Sequence, residues 1–237
     1  MVIDRINIHS LKINYDSLII NGLTLLIDKE LFWTSNDVVK KVQSIFKIKK
    51  VGHAGTLDPM ATGLVIVCTG KKTKEINEYQ NFDKTYEGTI TIGKTTPSYD
   101  LETEYDAIYD YEFVNDELIY KVSEKFKGLQ KQTPPMYSAI KKNGKPLYEL
   151  ARKGVEVERK EREIFINSFQ IKKIELPDIF FEINCSKGTY IRVIANEFGK
   201  ILGCGAHLTS LRRTKIGNYS VDDALTIYEF IELTKKI

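Results

Sequence analysis

Between Lys84 and Gly93 the side chains alternate in type. Tyr86, Gly88, Ile90 and Ile92 fall on one side, and Thr85, Glu87, Thr89 and Thr91 on the other. A period of two puts successive side chains on opposite faces, so this segment predicts a strand with one buried face. Asp178 to Cys185 repeats the pattern, with Ile179, Phe181, Ile183 and Cys185 inward. Other stretches follow helical spacing. Asn36 to Ile48 carries Val38, Val39, Val42, Ile45 and Phe46 on one face, with Ser35 or Asn36 as N-cap. Thr189 to Leu202 has Ile191, Ile194, Phe198 and Ile201 on one stripe, and Asn115 to Lys127 reads as a helix ended by Gly128. The two periods interleave irregularly, and several strands have short connections. The expectation is an α+β fold, a mixed, largely antiparallel sheet with helices packed on it.

Composition narrows the function classes. The 237 residues allow one large domain, or one with a small appendage. Cys68, Cys185 and Cys204 lie far apart and outside any CxxC, and the only histidines are His9, His53 and His207. That argues against a disulfide framework, a zinc site or a His-rich metal centre, and suits a reducing cytosol. No apolar run reaches the length of a membrane span, and Asp4, Arg5 and Asp16 interrupt any signal peptide. The net charge is only +3, but it is unevenly spread. Thr95 to Tyr120 holds eight acids and no base, whereas Lys121 to Lys160 holds eleven bases and four acids, a balance of +7. A polyanion would use the second stretch and avoid the first. Two solvated faces of opposite sign would look the same.

Four segments carry candidate chemistry. Gly52-His53-Ala54-Gly55-Thr56-Leu57-Asp58-Pro59-Met60-Ala61-Thr62-Gly63 has three glycines around one carboxylate and one histidine. It reads either as a plain turn, with Asp58 capping a single helical turn before a strand over Leu64 to Cys68, or as a loop at the mouth of a cleft. Cys185 to Arg192 is a strand end, a glycine turn and a helix start. Arg192 sits in the first turn, where its charge opposes the helix dipole, so it needs an acidic partner or faces solvent. Gln132 to Lys141, followed by Gly144, Lys145 and Tyr148, interleaves aromatic and basic residues on an extended segment. That suits single-stranded RNA, or an edge strand guarded by lysines. Gly203 to Arg213 ends in an arginine pair that grips phosphate or is simply solvated.

Taken together and in this order, the segments resemble the TruB-type tRNA pseudouridine synthases. The resemblance covers about Gly22 to Asp222. It rests on GHAGTLDPMATG, on KTYEGTITIG from Lys84, on QTPPMYSAIK with GKPLYELARKG, and on CSKGTYIR with GCGAHLTSLRR. It implies the pseudouridine synthase catalytic fold. It also implies conversion of the T-loop uridine at tRNA position 55 to pseudouridine by base flipping, without metal or other cofactor. Asp58 matches the catalytic aspartate, acting either at C6 of the base or at C1′ of the ribose. Tyr86 matches a tyrosine that stacks on the flipped base and moves a proton, and Arg192 an arginine paired with the aspartate. His53 matches a residue that enters the place left by the target nucleotide. Tyr190 and Leu211 match pocket-lining positions.

Two departures stand out. The family's usual Lys-Pro pair near the first strand is replaced by Lys29-Glu30, followed by Leu31, Phe32 and Trp33. The chain ends at Ile237, which predicts a catalytic domain over 22–237 with no C-terminal PUA domain, preceded by an extension over 1–21 of unknown role. The expected partner is the T arm of tRNA, with no membrane and no obligatory protein partner. The expected state is a cytoplasmic monomer. The rivals are a guide-RNA-dependent, dyskerin-like synthase and an RNA-folding helper without catalysis.

Overall fold

The alternating segment is a strand in the computed structural model, which describes residues 2–3, 21–142 and 144–235. In chain order the elements are β1 (Val2–Ile3), β2 (Thr24–Lys29), α1 (Ser35–Phe46), β3 (Val51–His53), β4 (Thr62–Thr69), α2 (Ile76–Asn81), β5 (Lys84–Ile92), β6 (Lys94–Thr95) and β7 (Ala107–Ile108). There follow α3 (Asp116–Glu124), β8 (Gly128–Gln132), β9 (Lys141–Lys142), β10 (Lys145–Pro146), α4 (Leu147–Ala151), β11 (Arg162–Glu175) and β12 (Asp178–Cys185). The last elements are α5 (Ile191–Leu202), β13 (Ala206–Ile216), β14 (Tyr219–Ser220), β15 (Leu225–Thr226) and α6 (Ile227–Thr234). The mixed sheet and packed helices are those of the α+β class expected. Of the N-terminal extension, only Val2, Ile3 and Asn21 fall within the described residues.

Contacts group the chain into Met1–Glu87 with Leu211–Ile237, and Gly88–Ser210. In the first unit β2 and β4 run antiparallel, from Thr24 opposite Cys68 to Lys29 opposite Gly63. The segments β1 and β15 join β2 in parallel, and β13 joins β4 in parallel at Arg212 opposite Thr62. Strand β4 is buried from Gly63 to Thr69, which explains its unbroken apolar run; a strand covered on both faces loses its alternation. Helix α1 buries Val38, Val39, Val42 and Phe46, and the Phe46 ring meets Phe230 of α6 edge-on at 5.4 Å. Its N-cap is Thr34 rather than Ser35 or Asn36. The Thr34 hydroxyl accepts from the Asp37 amide, and the Asp37 carboxylate accepts from the Thr34 amide, both at 3.0 Å. This reciprocal pair satisfies two orphan donors and leaves Ser35 free for another task.

In the second unit β11 and β12 pair antiparallel, and β8 pairs with the other edge of β11. Strand β12 buries Ile179, Phe181, Ile183 and Cys185, as its alternation predicts. Phe126, Phe169, Phe181 and Phe198 form a ring cluster with centroids 5.6–5.9 Å apart. It joins α5 and the turn after α3 to β11 and β12.

Gly199 lies inside α5, where glycine normally costs about 1 kcal/mol relative to alanine. Here the helix passes so close to the following strand that a β-carbon would run into the backbone of Gly205 and Ala206. The usual sign therefore reverses. Gly199→Ala is expected to lower the unfolding free energy by about 1–3 kcal/mol, the typical cost of overpacking, in denaturant titration.

Candidate active site

The glycine-rich segment is a pinned loop. No helical turn follows Asp58; Ala61 instead donates to the Asp58 carbonyl at 3.0 Å and closes a tight turn into β4. Such a loop exposes many carbonyls, and buried ones need donors. Arg213 supplies them. Only 1% exposed, it donates to the carbonyls of Leu64 (2.7 Å), Gly55 (3.3 Å) and Thr56 (3.4 Å). The Ser35 hydroxyl, freed from capping, accepts from the Leu57 amide at 2.9 Å and faces the Leu57 carbonyl at 3.4 Å. Phe32 donates to the Pro59 carbonyl at 2.8 Å. Gly63, at φ +108°, has to be glycine, because a β-carbon would strike the Arg213 backbone. Asp58 is left half-buried on a loop fixed on both sides.

Buried Arg213 is therefore neither a phosphate grip nor solvated. Arg213 is a buried loop anchor. Arg212 holds Asp28 with both terminal nitrogens, at 3.0 and 2.7 Å. Planar guanidinium forks match carboxylates and carbonyls of this kind. Lys29, marked in the sequence only by its missing proline, is 1% exposed and donates to the carbonyls of Glu30 (2.9 Å) and Trp33 (2.7 Å). Burial pulls its pKa down to about 8, while the nearby charges of Asp58 and Asp28 oppose that shift and Arg213 adds to it.

His53 ends β3 half-buried, and burial holds its imidazole below the usual value. Tyr86 is 8% exposed on β5, and Leu211 is half-buried on β13. These two strands are neighbours, and the Thr214 hydroxyl bonds the Thr85 carbonyl at 3.3 Å. The first unit thus carries Asp58, His53, Tyr86 and Leu211.

The second unit carries Tyr190 and Arg192 at the start of α5. Arg192 is 3% exposed, which rules out a solvent-facing arginine. Its Nη1 donates to the Tyr137 carbonyl at 2.6 Å, and its Nε stands 3.9 Å from Oδ2 of buried Asp100. An acid beside the guanidinium offsets its unfavourable place at the helix N-terminus. Tyr190 is held through its backbone by Gln132, whose side chain donates to the Tyr190 carbonyl (3.1 Å) and accepts from its amide (2.8 Å). The guanidinium of Arg162 lies 4.6 Å over the Tyr190 ring. Asp100 and Gln132 escaped sequence reasoning. Asp100 looked like one acid of a solvated run, yet Thr96 and Ser98 hydroxyls bond its carbonyl and fold it inward. The Thr-Thr-Pro-Ser run before it was the available signal.

Comparison with known proteins decides the family. The model of the TruB family pseudouridylate synthase N-terminal domain matches residues 43–191, and that of the tRNA pseudouridylate synthase B C-terminal domain matches 192–236. The chain belongs to the TruB family. The tRNA pseudouridine synthase B of Flavobacterium johnsoniae is 50% identical over 220 residues, covering 90% of this chain and 96% of the relative. That of Parabacteroides distasonis is 48% identical over 222 residues, covering 90% and 94%. Among solved structures, a chain in the crystal structure of a Cbf5-Nop10-Gar1 complex superposes with a TM-score of 0.72 at 27% identity. That match covers 92% of this TruB-family chain but only 55% of the other, so this chain spans about half its length.

The Lys29 environment has a signed consequence. With a folded pKa near 8 and an ordinary value of 10.5, the unfolded chain binds more protons in the window between them. Stability from this group therefore rises as pH increases from about 8 to about 10.5, and its full cost is present below that window. Lys29→Met removes the titration. The wild-type unfolding free energy is expected to gain on that of Lys29→Met between pH 8 and 10. A constant difference would mean that the ammonium is not desolvated.

Proposed function

We propose that this chain is a tRNA pseudouridine synthase, an isomerase acting on a uridine of tRNA, and that its target is the T-loop uridine at position 55. In this reaction the N1–C1′ bond breaks and a C5–C1′ bond forms. The proton on C5 is lost and one is gained at N1, so atoms balance with no oxidant or reductant. The base is reached only outside the stack, and an aromatic face compensates part of the lost stacking.

The observation that carries the reading is the Asp58 loop. A half-exposed carboxylate stands on a backbone whose carbonyls are held by buried Arg213, in a chain 50% identical to a tRNA pseudouridine synthase B. Preorganisation of a reacting carboxylate is what such a scaffold provides. Asp58 is read as the catalytic carboxylate, acting at C6 or at C1′, Tyr86 as the stacking and proton-moving group, and Arg192 as the cation serving the same reaction. His53 is read as taking the place of the flipped nucleotide, and Tyr190 and Leu211 each as a contact of the target base. The phosphates of the T arm meet the basic stretch, where every Lys and Arg from Lys121 to Lys160 is exposed except Arg159. The chain acts as a cytoplasmic monomer over a catalytic domain at 22–237, without an obligatory protein partner. Among the described residues no helix is long and apolar enough to cross a membrane. Identity favours this reading over a guide-RNA-dependent synthase, at 50% against 27%.

The test is pseudouridine mapping in tRNA treated with the purified chain, wild type and Asp58→Asn. Asp58→Asn keeps shape and removes the charge. Single-turnover rate is expected to fall by on the order of a thousandfold or more, with filter-binding affinity nearly unchanged, because binding rests on distributed phosphate and stacking contacts. Near-wild-type turnover in that variant would remove Asp58 from the chemistry.

Salt gives an independent check. Log affinity should fall with log salt by about 0.7 per phosphate neutralised on unpaired strands. The double charge reversal Lys141→Glu with Lys142→Glu should flatten that slope, and an affinity indifferent to salt would exclude the basic stretch as the RNA contact.

A further inference from the structure

The Phe32 side chain, in the segment that replaces the family's Lys-Pro pair, is unused by the reading above, and it is unusual in two independent ways. Phe32 is 71% exposed, more than any other large apolar residue among the described residues of the first unit. It also adopts φ +66°, a left-handed conformation that glycine takes freely and a bulky side chain resists. The turn that imposes this is held from three sides. The buried Lys29 ammonium bonds the carbonyls of Glu30 and Trp33, at 2.9 and 2.7 Å. The Trp33 amide closes back on the Glu30 carbonyl at 3.4 Å. The Phe32 amide itself donates to Pro59, the residue after Asp58, at 2.8 Å. Strain kept by this many constraints holds the exposed ring in one place as well as tying the backbone to the Asp58 loop.

We propose that Phe32 is a stacking platform for an unpaired nucleobase of the RNA substrate, next to the nucleotide that is acted on. An aromatic ring on a rigid turn loses little conformational freedom on binding, and every base has a face to offer it. The hydrogen bond to Pro59 ties the ring's backbone to the Asp58 loop, so the platform and the carboxylate are fixed in one frame. Leu31, 43% exposed, extends the apolar surface. Nearby Arg212 is paired with Asp28, and the chemistry the Phe32 ring itself offers is stacking. The proposal rests on RNA being the substrate.

The experiment uses the full chain, a T-arm stem-loop RNA, and a set of such RNAs each carrying 2-aminopurine at one loop position. Phe32→Gly, Phe32→Leu and Phe32→Tyr are compared with wild type for melting temperature, affinity and 2-aminopurine quenching. Phe32→Gly should melt at the same or a higher temperature, because glycine relieves the strain, yet bind about tenfold or more weakly. Phe32→Leu should bind as weakly as Phe32→Gly, since it is apolar but has no ring. Phe32→Tyr should bind within about twofold of wild type, and quenching at one loop position should survive only with an aromatic at position 32. Wild-type affinity in Phe32→Gly or Phe32→Leu would overturn the proposal, and so would loss of binding in a folded Phe32→Tyr. Should Phe32→Gly not fold, Phe32→Leu and Phe32→Tyr decide. A wild-type chain that binds the RNA but forms no pseudouridine would sink the proposed function and leave the stacking comparison readable. A wild-type chain that binds no RNA would sink both.

Discussion

The buried guanidinium of Arg213 is the interaction on which the first unit's site is built. The loop between Gly52 of β3 and Gly63 of β4 has little regular structure of its own to hold its shape, and the Gly55 and Thr56 carbonyls in it lie outside any strand. A buried arginine has the opposite problem, with five donors and no water. Each resolves the other, because three carbonyl oxygens at Gly55, Thr56 and Leu64 take the guanidinium protons. The parallel pairing of Arg213 with Gly63 sets the register that brings them together. Helix α1 completes the frame, since capping by Thr34 releases the Ser35 hydroxyl to hold Leu57. Asp58 then sits on a backbone with few ways to move.

The second unit uses the same device with different groups. An amide side chain, Gln132, meets the two backbone atoms of Tyr190 at the mouth of α5, where helix geometry leaves donors unpaired. Arg192, in the first turn, carries a charge the helix dipole disfavours. Burial makes that placement costlier still, and Asp100 together with the Tyr137 carbonyl offsets it. Asp58 is thus placed by the backbone around it, Tyr190 through its own backbone, and Arg192 by its own guanidinium contacts.

Lys29 and Phe32 show how one turn sets two properties. The ammonium that closes the turn is desolvated, which pulls its pKa down, and the turn it closes forces an aromatic residue into glycine's conformation. Neither feature is visible in the identity of the residues. Both follow from where the carbonyls of Glu30, Trp33 and Pro59 end up.

Periodicity alone determined a good part of the molecule. The strand β12 and the buried faces of α1 and β5 follow from spacing, because side-chain direction repeats every 2 or 3.6 residues whatever lies around it. The motifs GHAGTLDPMATG and CSKGTYIR likewise singled out Asp58 and Arg192 as candidates before any fold was known. Tertiary structure decided everything that depended on residues distant in the chain. Arg213 looked like a phosphate ligand until β13 carried it under a loop about 150 residues away. Asp100 looked solvated until it turned in toward Arg192, and Gln132, which does end the edge strand β8, gave no sign that its side chain meets the Tyr190 backbone. Local spacing reports which way a side chain leaves the backbone. Which donor meets which acceptor is settled only when folding removes water from both, and that happens between segments the sequence keeps far apart.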